Sequence, residues 1–400
     1  MSFELSYKQM NIVVEGVTLS SLRSRYRADV ASAAKLVGVE PNVFAEWEKN
    51  GAEVSITEAK KIAKAFHTHW SVFLLKKAVK PITEPVNHRA GYADSANFSN
   101  KTMRAYEVAR KLLDTSEEIE GRTLIPQLET LARLGATGED ADIMAHKMRD
   151  LLGVTSAEIK TIRGGPYKVY DFWKKKISNL GIYVSEQDMP IEETKAFLMK
   201  DGDRAVIVIN KKDGYIYSRV FSLVHELGHM IKGEASAACK VTISAKRSSR
   251  EEAWCNKFAS ELLAYDDDVL RETVVDTLKS MKDPAPQLRR LANSYKVSFT
   301  VMLYKLVRHE KITDSQRKEM QLFFENVILP KIKSSNNKKE IRLGRAFYVG
   351  RDLSKASPSL AREVVEKQVQ GLLSYSQAAK MLDTRARYYE DIKEAVGFGS

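Results

Sequence analysis

The sequence is poor in cysteine and lacks any long uninterrupted hydrophobic segment. Its 400 residues include two cysteines, Cys239 and Cys255, which are too few for a disulfide framework and fit a reducing compartment. No run of eighteen apolar residues occurs, and no secretory hydrophobic region follows Met1. These absences argue against a disulfide-stabilised, a membrane-spanning and an exported protein. We therefore expect a cytoplasmic protein without membrane association.

The composition is that of an ordinary globular protein with a moderate basic excess. The chain is 44% hydrophobic and 29% charged, and its formal net charge is +12. Because 400 residues exceed the usual size of one hydrophobic core, we expect two or three domains. The basic residues are spread along the chain, so contact with nucleic acid is permitted but not required.

Apolar periodicity predicts a mostly helical chain with a small β-sheet, which is an α+β fold. Short β-rich runs at 182–184 and 205–209 interrupt the helical patterns, and helix returns at 221–231. A polar, basic run at 331–339 is expected to be a loop. Other helices are predicted at 29–49, 57–67, 101–120, 125–134, 142–152, 167–180, 250–264, 284–295, 298–307, 314–333 and 358–395.

The pentapeptide from His225 to His229 carries the strongest chemical signal. Two histidines four residues apart stack on one face of a helix, where both imidazoles can bind one Zn²⁺. Glu226, one residue further round, can reach a water molecule instead of the metal. We expect Leu227 and its apolar neighbours to pack inwards while the histidines face a cleft. Gly228 either leaves room for a ligand or allows close helix packing.

A catalytic zinc site needs a third protein ligand and an open position. A metzincin would have a third histidine at position 235, but this position is Ala235. The other common type uses a carboxylate on a later helix. Glu251 and Glu252 are both candidates there, whereas Glu261 is a weaker one and Glu234 lies too close to the histidines.

At this point the sequence resembles the ImmA/IrrE-type metallopeptidase family. The resemblance is carried by a strand that ends in asparagine, by the helix with the paired histidines and by a Glu-x-x-Cys-Asn-x-Phe-Ala helix, at 206–210, 219–229 and 252–263. With Asn256 as the anchor, the family pattern places the metal-binding glutamate at Glu252 rather than Glu251. One departure is that Ala264 and Tyr265 stand where the family usually has a proline.

The family resemblance implies a zincin-like core in which His225, His229 and Glu252 hold Zn²⁺. Glu226 would then act as the general base of peptide hydrolysis. Two alternatives remain, namely a helix with surface histidines and an intact metal site with little peptidase activity.

Other motif residues are expected to have structural roles. Cys255, between Trp254 and Asn256, is predicted to be a small core residue rather than a ligand. Asn210 and Arg219 match the family and are also expected to be structural. Peptide hydrolysis also needs a hydrogen-bond donor that stabilises the negatively charged oxygen of the transition state, the oxyanion. Tyr215 and Tyr217 are near the motif in sequence, but this proximity alone does not identify either of them as that donor.

An N-terminal segment resembles the XRE (lambda-repressor-like) helix-turn-helix class. A helix ending at Gly38 is followed by a tight turn and a second helix from Asn42 to Glu48. Basic residues are scarce here, and the second helix offers no arginine to guanine. Binding of DNA by residues 29–82, docking of a partner protein and self-association as a homodimer therefore remain alternatives. The candidate contacts on the second helix are Asn42, Val43, Glu46 and Lys49.

We expect five segments along the chain. They are an N-terminal segment at 1–28, a helix-turn-helix at 29–82, a helical connector at 83–150, a zinc peptidase core at 151–270 and a helical C-terminal domain at 271–400. The resemblance implies a regulatory endopeptidase that cleaves a repressor-like or antitoxin-like protein to switch gene expression. The alternatives are a DNA-binding transcription regulator and a toxin–antitoxin component, in which the peptidase fold senses or binds rather than cleaves.

Overall fold

The structure, a computed structural model, describes residues 11–25, 29–66, 70–74, 98–120, 126–233, 250–331 and 345–398. The described residues up to 107 form one compact unit, and those from 108 onwards form a second. Helices predominate and the sheets are small, which confirms the α+β fold predicted from the sequence. No helix in these ranges is both long and apolar enough to cross a membrane. The five segment boundaries expected from the sequence stay predictions.

The first unit contains, in chain order, β1 (Asn11–Val14), α1 (Gly16–Arg25), α2 (Val30–Val37), α3 (Pro41–Asn50), β2 (Ala52–Ser55), α4 (Ile56–Ala65) and a 3₁₀ turn (Trp70–Leu74). Strands β1 and β2 pair antiparallel and, like α1, were not predicted. Helix α2 ends at Gly38, whose φ of 83° requires the left-handed region that glycine tolerates best. The helices α2 and α3 lie where the sequence predicts two helices joined by a turn.

The following elements complete the chain: α5 (Asn100–Glu120), α6 (Pro126–Ala136), α7 (Ala141–Leu152), α8 (Ser156–Thr161), α9 (Pro166–Ser178), β3 (Ile182–Gln187), β4 (Ala196–Asp201), β5 (Arg204–Asn210), α10 (Ile216–Ile231), α11 (Arg250–Leu263), α12 (Asp266–Leu270), α13 (Ala285–Ser294), α14 (Phe299–Arg308), α15 (Asp314–Phe323), α16 (Arg345–Ala356), α17 (Pro358–Val369), α18 (Tyr375–Met381) and α19 (Ala386–Ala395). A 3₁₀ turn (Val275–Ser280) precedes α13, and a π-turn (Phe324–Ile328) follows α15. The run predicted as helical at 358–395 is thus three helices. Most of the basic loop predicted at 331–339 lies outside the described residues.

A three-stranded sheet lies in the second unit, with the strand order β3-β5-β4. Strand β5 is central, pairing parallel with β3 and antiparallel with β4. Its residues 205–209 are all buried, as expected for a strand that is covered on both faces. The sequence predicted β3 and β5, but β4 was missed. Its Ala-Phe-Leu-Met run lacks the β-branched residues that indicate a strand.

The outer edge of β3 is covered by the turn between α16 and α17. The backbone N–H of Val184 donates to Ser357 Oγ at 3.2 Å, and Ser185 Oγ donates to the Lys355 carbonyl at 2.6 Å. Ser357 is fully buried and has a φ of +63°, which is rare for a residue with a side chain. These bonds satisfy polar groups that a free sheet edge would leave unpaired.

Helix α10 occupies the centre of the second unit. It packs on β4 and β5 and against three further helices, α6, α9 and α11. It begins at Ile216, five residues before the start predicted from the sequence. Helix α11 packs in turn on α7. These contacts fix the two helices on which the candidate ligands lie.

Candidate metal centre

The N-terminal end of α10 is held by polar bonds to the loop that precedes it. Arg219 donates from Nε to the Asp213 carbonyl and from Nη2 to the Lys211 carbonyl, both at 2.6 Å. The guanidinium is largely buried, so these bonds satisfy a charge that would otherwise be costly there. Arg219 therefore fixes the direction of α10, and its predicted structural role is confirmed.

Asn210, at the end of β5, ties the neighbouring loops together. Its Nδ2 donates to the carbonyls of Met189 and Thr194, at 3.0 and 2.8 Å. Its Oδ1 accepts the backbone N–H groups of Met189 and Lys212. The asparagine is fully buried and uses both ends of its amide. Its predicted structural role is confirmed as well.

Gly228 sits where α10 and α11 cross. A Cβ added at this position would lie 3.2 Å from Phe258 Cδ1 and 3.3 Å from Cys255 Sγ, closer than ordinary van der Waals contact. Of the two roles that the sequence left open for this glycine, the structure supports close helix packing. The close crossing brings the first turn of α11 to the histidines.

Three side chains converge at this crossing. Nε2 of His225 lies 3.3 Å from Glu252 Oε2, and Nε2 of His229 lies 3.2 Å from Glu252 Oε1. The two imidazole rings are 4.9 Å apart and nearly perpendicular. One ligand atom from each of the three residues lies within 4.8 Å of the other two. The three residues that the family resemblance implied as ligands are thus brought together.

The spacing of these atoms fits a bound divalent metal ion. Tetrahedral coordination with bonds of about 2.1 Å separates neighbouring ligand atoms by about 3.4 Å, close to the distances observed. Two imidazole nitrogens and one carboxylate form a donor set found in catalytic metal sites. The cluster can therefore hold a metal ion through three protein ligands.

Burial sets the electrostatics of the cluster. His225 and Glu226 have no exposed surface, and His229 is 4% exposed. The alternative of a helix with surface histidines was therefore wrong, whereas the cleft that the histidines were expected to face stays a prediction. Burial by itself raises the pKa of Glu252, but the two imidazoles beside it lower that pKa well below its usual range.

The other glutamates considered as the third metal ligand are exposed, bind another side chain or lie outside the described residues. Glu251 is exposed and does not belong to the cluster. Glu261 is buried and binds Lys305, with its Oε2 2.9 Å from Lys305 Nζ. Glu234 and Ala235 lie outside the described residues. Glu252 is therefore the carboxylate that the structure brings to the histidines.

Cys255 lies next to the cluster but is not part of it. The thiol is fully buried and forms no disulfide within the described residues, and burial raises its pKa. Within the described residues, the group able to hold a metal consists of the two histidines and Glu252 without this cysteine. This agrees with the small core residue predicted from the sequence. The other cysteine, Cys239, lies outside the described residues.

The two tyrosines near the start of α10 differ in their surroundings. The hydroxyl oxygen of Tyr215 accepts the backbone N–H of Phe299, the first residue of α14, at 3.4 Å. Burial raises the pKa of Tyr215 and, to a smaller extent, that of Tyr217. Tyr215 therefore anchors α14 to α10, and nothing assigns it the oxyanion role.

Asn256 of α11 has a buried polar atom to which the sequence did not point. Asn256 lies four residues after Glu252, so the two share a face of the helix. Its Oδ1 is buried and has no hydrogen-bond partner within the described ranges. In the sequence, Asn256 served as the anchor of the family motif and was given no role of its own.

In the first unit, the candidate contacts lie on α3. Asn42, Val43, Glu46 and Lys49 are all exposed, as a contact surface requires. Glu48 on the same helix binds Arg23 of α1, with Nε and Oε1 2.7 Å apart. Exposure makes these residues available but does not identify what they contact.

The segment from residue 177 to residue 307 matches the family model Peptidase_M78, described as the IrrE N-terminal-like domain. The matched segment contains the whole sheet β3–β5 together with α10 and α11. No curated protein and no solved structure matches the chain.

Proposed function

Because residues 177–307 belong to the IrrE N-terminal-like family of peptidases, as the sequence motifs predicted, we propose that the protein is a zinc-dependent endopeptidase. The observation that carries this proposal is the meeting of His225, His229 and Glu252, with Glu226 next to the first histidine. The donor set and the atom spacing suit Zn²⁺ in a catalytic site. Family and geometry thus support the same chemistry independently.

The roles of the residues follow from their positions. Zn²⁺ at this site would supply a Lewis acid and lower the pKa of a coordinated water to about 7. His225 and His229 would hold the ion, while Glu252 would offset part of its charge. Glu226 accepts a proton from the attacking water and delivers it to the leaving nitrogen of the peptide.

We further propose that the substrate is a repressor-like or antitoxin-like regulatory protein, whose cleavage switches gene expression. This part rests on the ImmA/IrrE resemblance. The first candidate to test is a small repressor-like protein, where one is encoded beside this gene. Incubation of the full chain with that protein and zinc, followed by mass spectrometry of the fragments, tests the proposal.

Two variants separate metal binding from chemistry. Glu226→Gln keeps zinc at one ion per chain and loses cleavage, because its amide cannot accept the proton. His225→Ala loses zinc as well. Cleavage at the wild-type rate by Glu226→Gln would contradict the mechanism. Bound zinc without cleavage of any candidate would favour the alternative of a metal site that senses or binds.

A second function is proposed for residues 29–82, which would recognise DNA or a partner protein through α3. The exposed surface of α3 includes Glu46 as well as Lys49, so its charge is mixed. Affinity for DNA depends on basic contacts with phosphates and falls steeply with salt. Steeply salt-dependent binding to duplex DNA would support a transcription regulator. Binding to the candidate substrate protein that weakens in Val43→Asp would support partner recognition.

A further inference from the structure

A cavity of about 370 Å³ lies at the C-terminal end of α10. Its walls come from α6, from the turn between β4 and β5, and from the end of α10 with the two residues that follow it, Lys232 and Gly233. The volume is at the lower end of the range of about 300–1,000 Å³ that is typical of sites for small ligands. The cavity is therefore large enough to admit one side chain of a bound peptide.

The cavity adjoins the candidate metal centre. Gly233 comes four residues after His229, so it lies about one turn beyond the second histidine along α10. Nζ of Lys232 lies 4.8 Å from the ring centre of Trp254, which is two residues after Glu252 on α11. A peptide whose scissile bond lies at the metal position can therefore place a neighbouring side chain in the cavity.

Lys200, near the end of β4, lines this cavity without a partner for its side chain. The lysine is half-buried, and its ammonium group forms no hydrogen bond or ion pair with any residue in the described ranges. Burial lowers the pKa of Lys200, and the charge of Asp203 offsets this effect only in part. Because a partly desolvated charge without a partner is unfavourable, a ligand that brings a negative charge would be favoured here.

The other charges at the cavity are largely balanced by their own neighbours. Glu129 forms an ion pair with Arg133, one turn further along α6. Lys232 follows the last turn of α10, where the negative end of the helix dipole offsets part of its charge. Asp203 is exposed and forms no direct ion pair with Lys200 in the described structure. Lys200 is thus the charge that a ligand in the cavity can still neutralise.

The hairpin that carries Lys200 is held in place on both sides. Lys200 is paired with Ala205 in the ladder between β4 and β5. The next residue, Asp201, binds Arg110 of α5 through an ion pair. A lysine on a fixed strand loses less freedom on binding than one on a mobile loop, which favours recognition at this position.

We propose that this cavity is a specificity pocket of the proposed endopeptidase, in which the ammonium group of Lys200 binds the carboxylate of an aspartate or glutamate side chain of the substrate. The ammonium donates hydrogen bonds to the carboxylate, and the opposite charges strengthen them. The sequence did not single out Lys200, because most lysines are solvated surface residues. This inference rests on the proposed function, since the pocket selects the peptide that the metal site cleaves.

The test is the cleavage of a synthetic library of random-sequence peptides by the zinc-loaded full chain, with the cleaved bonds identified by mass spectrometry. The wild type should prefer Asp or Glu at one fixed position relative to the cleaved bond. Lys200→Met should lose this preference and Lys200→Arg should keep it, whereas Lys200→Glu should replace it with a preference for Lys or Arg. Lys175→Met, the same substitution at an exposed lysine of α9, is the matched control and should cleave as the wild type does.

Kinetics with a pair of peptides give the magnitude. One peptide carries the preferred acidic residue, and the other carries the corresponding amide, Asn or Gln. Loss of a hydrogen bond to a charged group should lower kcat/KM for the acidic peptide by about 10- to 100-fold in Lys200→Met. The amide peptide should be cleaved at nearly the same rate by Lys200→Met and the wild type. The zinc content and the melting temperature of Lys200→Met should match those of the wild type, because Lys200 is not a candidate ligand and has no partner to lose.

The outcomes separate this inference from the proposed function. A zinc-loaded wild type that cleaves neither a library peptide nor the repressor-like protein would overturn the endopeptidase and the pocket together. Cleavage without an acidic preference would overturn the pocket alone, and so would an acidic preference that Lys200→Met retains. If only the repressor-like protein is cleaved, the absence of an acidic residue next to its cleaved bond refutes the pocket. If Lys200→Met does not fold, the preferences of the wild type and of Lys200→Glu decide.

Discussion

Replacing Gly135 with alanine should destabilise the second unit by pushing α6 away from the C-terminal end of α10. A Cβ built at Gly135 would lie 1.7 Å from the carbonyl oxygen of Ile231 and 2.9 Å from its carbonyl carbon. Both atoms belong to backbone, so no side-chain rotation can relieve the overlap. Helices α6 and α10 must separate by about 1.5 Å before the added carbon and the carbonyl oxygen reach van der Waals distance.

Two opposing effects decide the magnitude. Alanine is favoured over glycine within a helix by up to about 1 kcal/mol. Overpacking a close contact costs about 1–3 kcal/mol, and a backbone overlap of this size belongs at the upper end. The net effect is a loss of about 2 kcal/mol, which lowers the melting temperature by about 3 °C in a unit of this size. Zinc affinity should fall too, because Ile231 lies two residues beyond His229.

The assay is a thermal melt of the zinc-free protein, with Gly350→Ala as the control. Gly350 lies within α16, and a Cβ built there meets no described heavy atom within 4 Å. The same substitution should therefore raise the melting temperature slightly at Gly350 and lower it at Gly135. Equal stabilisation by both variants would refute the close approach of α6 to α10.

Three further predictions concern buried charge and metal. Lys305→Met removes the ammonium group that lies 2.9 Å from the buried carboxylate of Glu261, and urea unfolding should show a free energy of unfolding lower by about 3–5 kcal/mol. Lys311→Met breaks a more exposed ion pair with Asp276 and should lower the free energy of unfolding by at most about 1 kcal/mol. Burial by itself raises the pKa of Asp266, but the positive charge of Lys305, together with His309 and Arg308, has the larger effect and lowers that pKa below its usual value. The ionised carboxylate therefore stabilises the fold above about pH 4, and this stabilisation is lost as the pH falls. Asp266→Asn should make the loss of stability in acid-unfolding curves less steep. Removing zinc with a chelator should lower the unfolding free energy by about 2.7 kcal/mol relative to a sample with free zinc at a hundred times its Kd, which a calorimetric melt measures.

The paired histidines of the candidate site could be predicted from the sequence because their arrangement depends on local spacing. His225 and His229 are four residues apart, and any helix places them on one face. Choosing Glu252 over Glu251 required the family pattern, since both stand at the start of the same helix. Spacing within α11 does not reveal the contact across to α10. The structure supplies this contact through the close crossing at Gly228.

What could not be predicted depends on tertiary surroundings. The apolar periodicity of α10 suggested one buried face, yet the helix is buried on nearly all sides by two strands and three helices. Strand β4 was missed because Phe197 is its one residue with a strand preference, and the strand is held by pairing with β5. The partner of a buried group is likewise invisible in sequence, as the ion pair of Glu261 with Lys305 illustrates.

The burial of α10 also distinguishes Arg219 from the two histidines. Inside a protein each polar side chain needs a partner, and Arg219 finds two backbone carbonyls near the start of the helix. Its bonds fix the backbone and leave no capacity for a ligand at those atoms. His225 and His229 instead meet the carboxylate of Glu252, which comes from another helix and whose atoms lie at metal-ligand spacing. Loss of Arg219 should therefore reduce the stability of the fold with or without metal, whereas loss of either histidine should matter most when zinc is present.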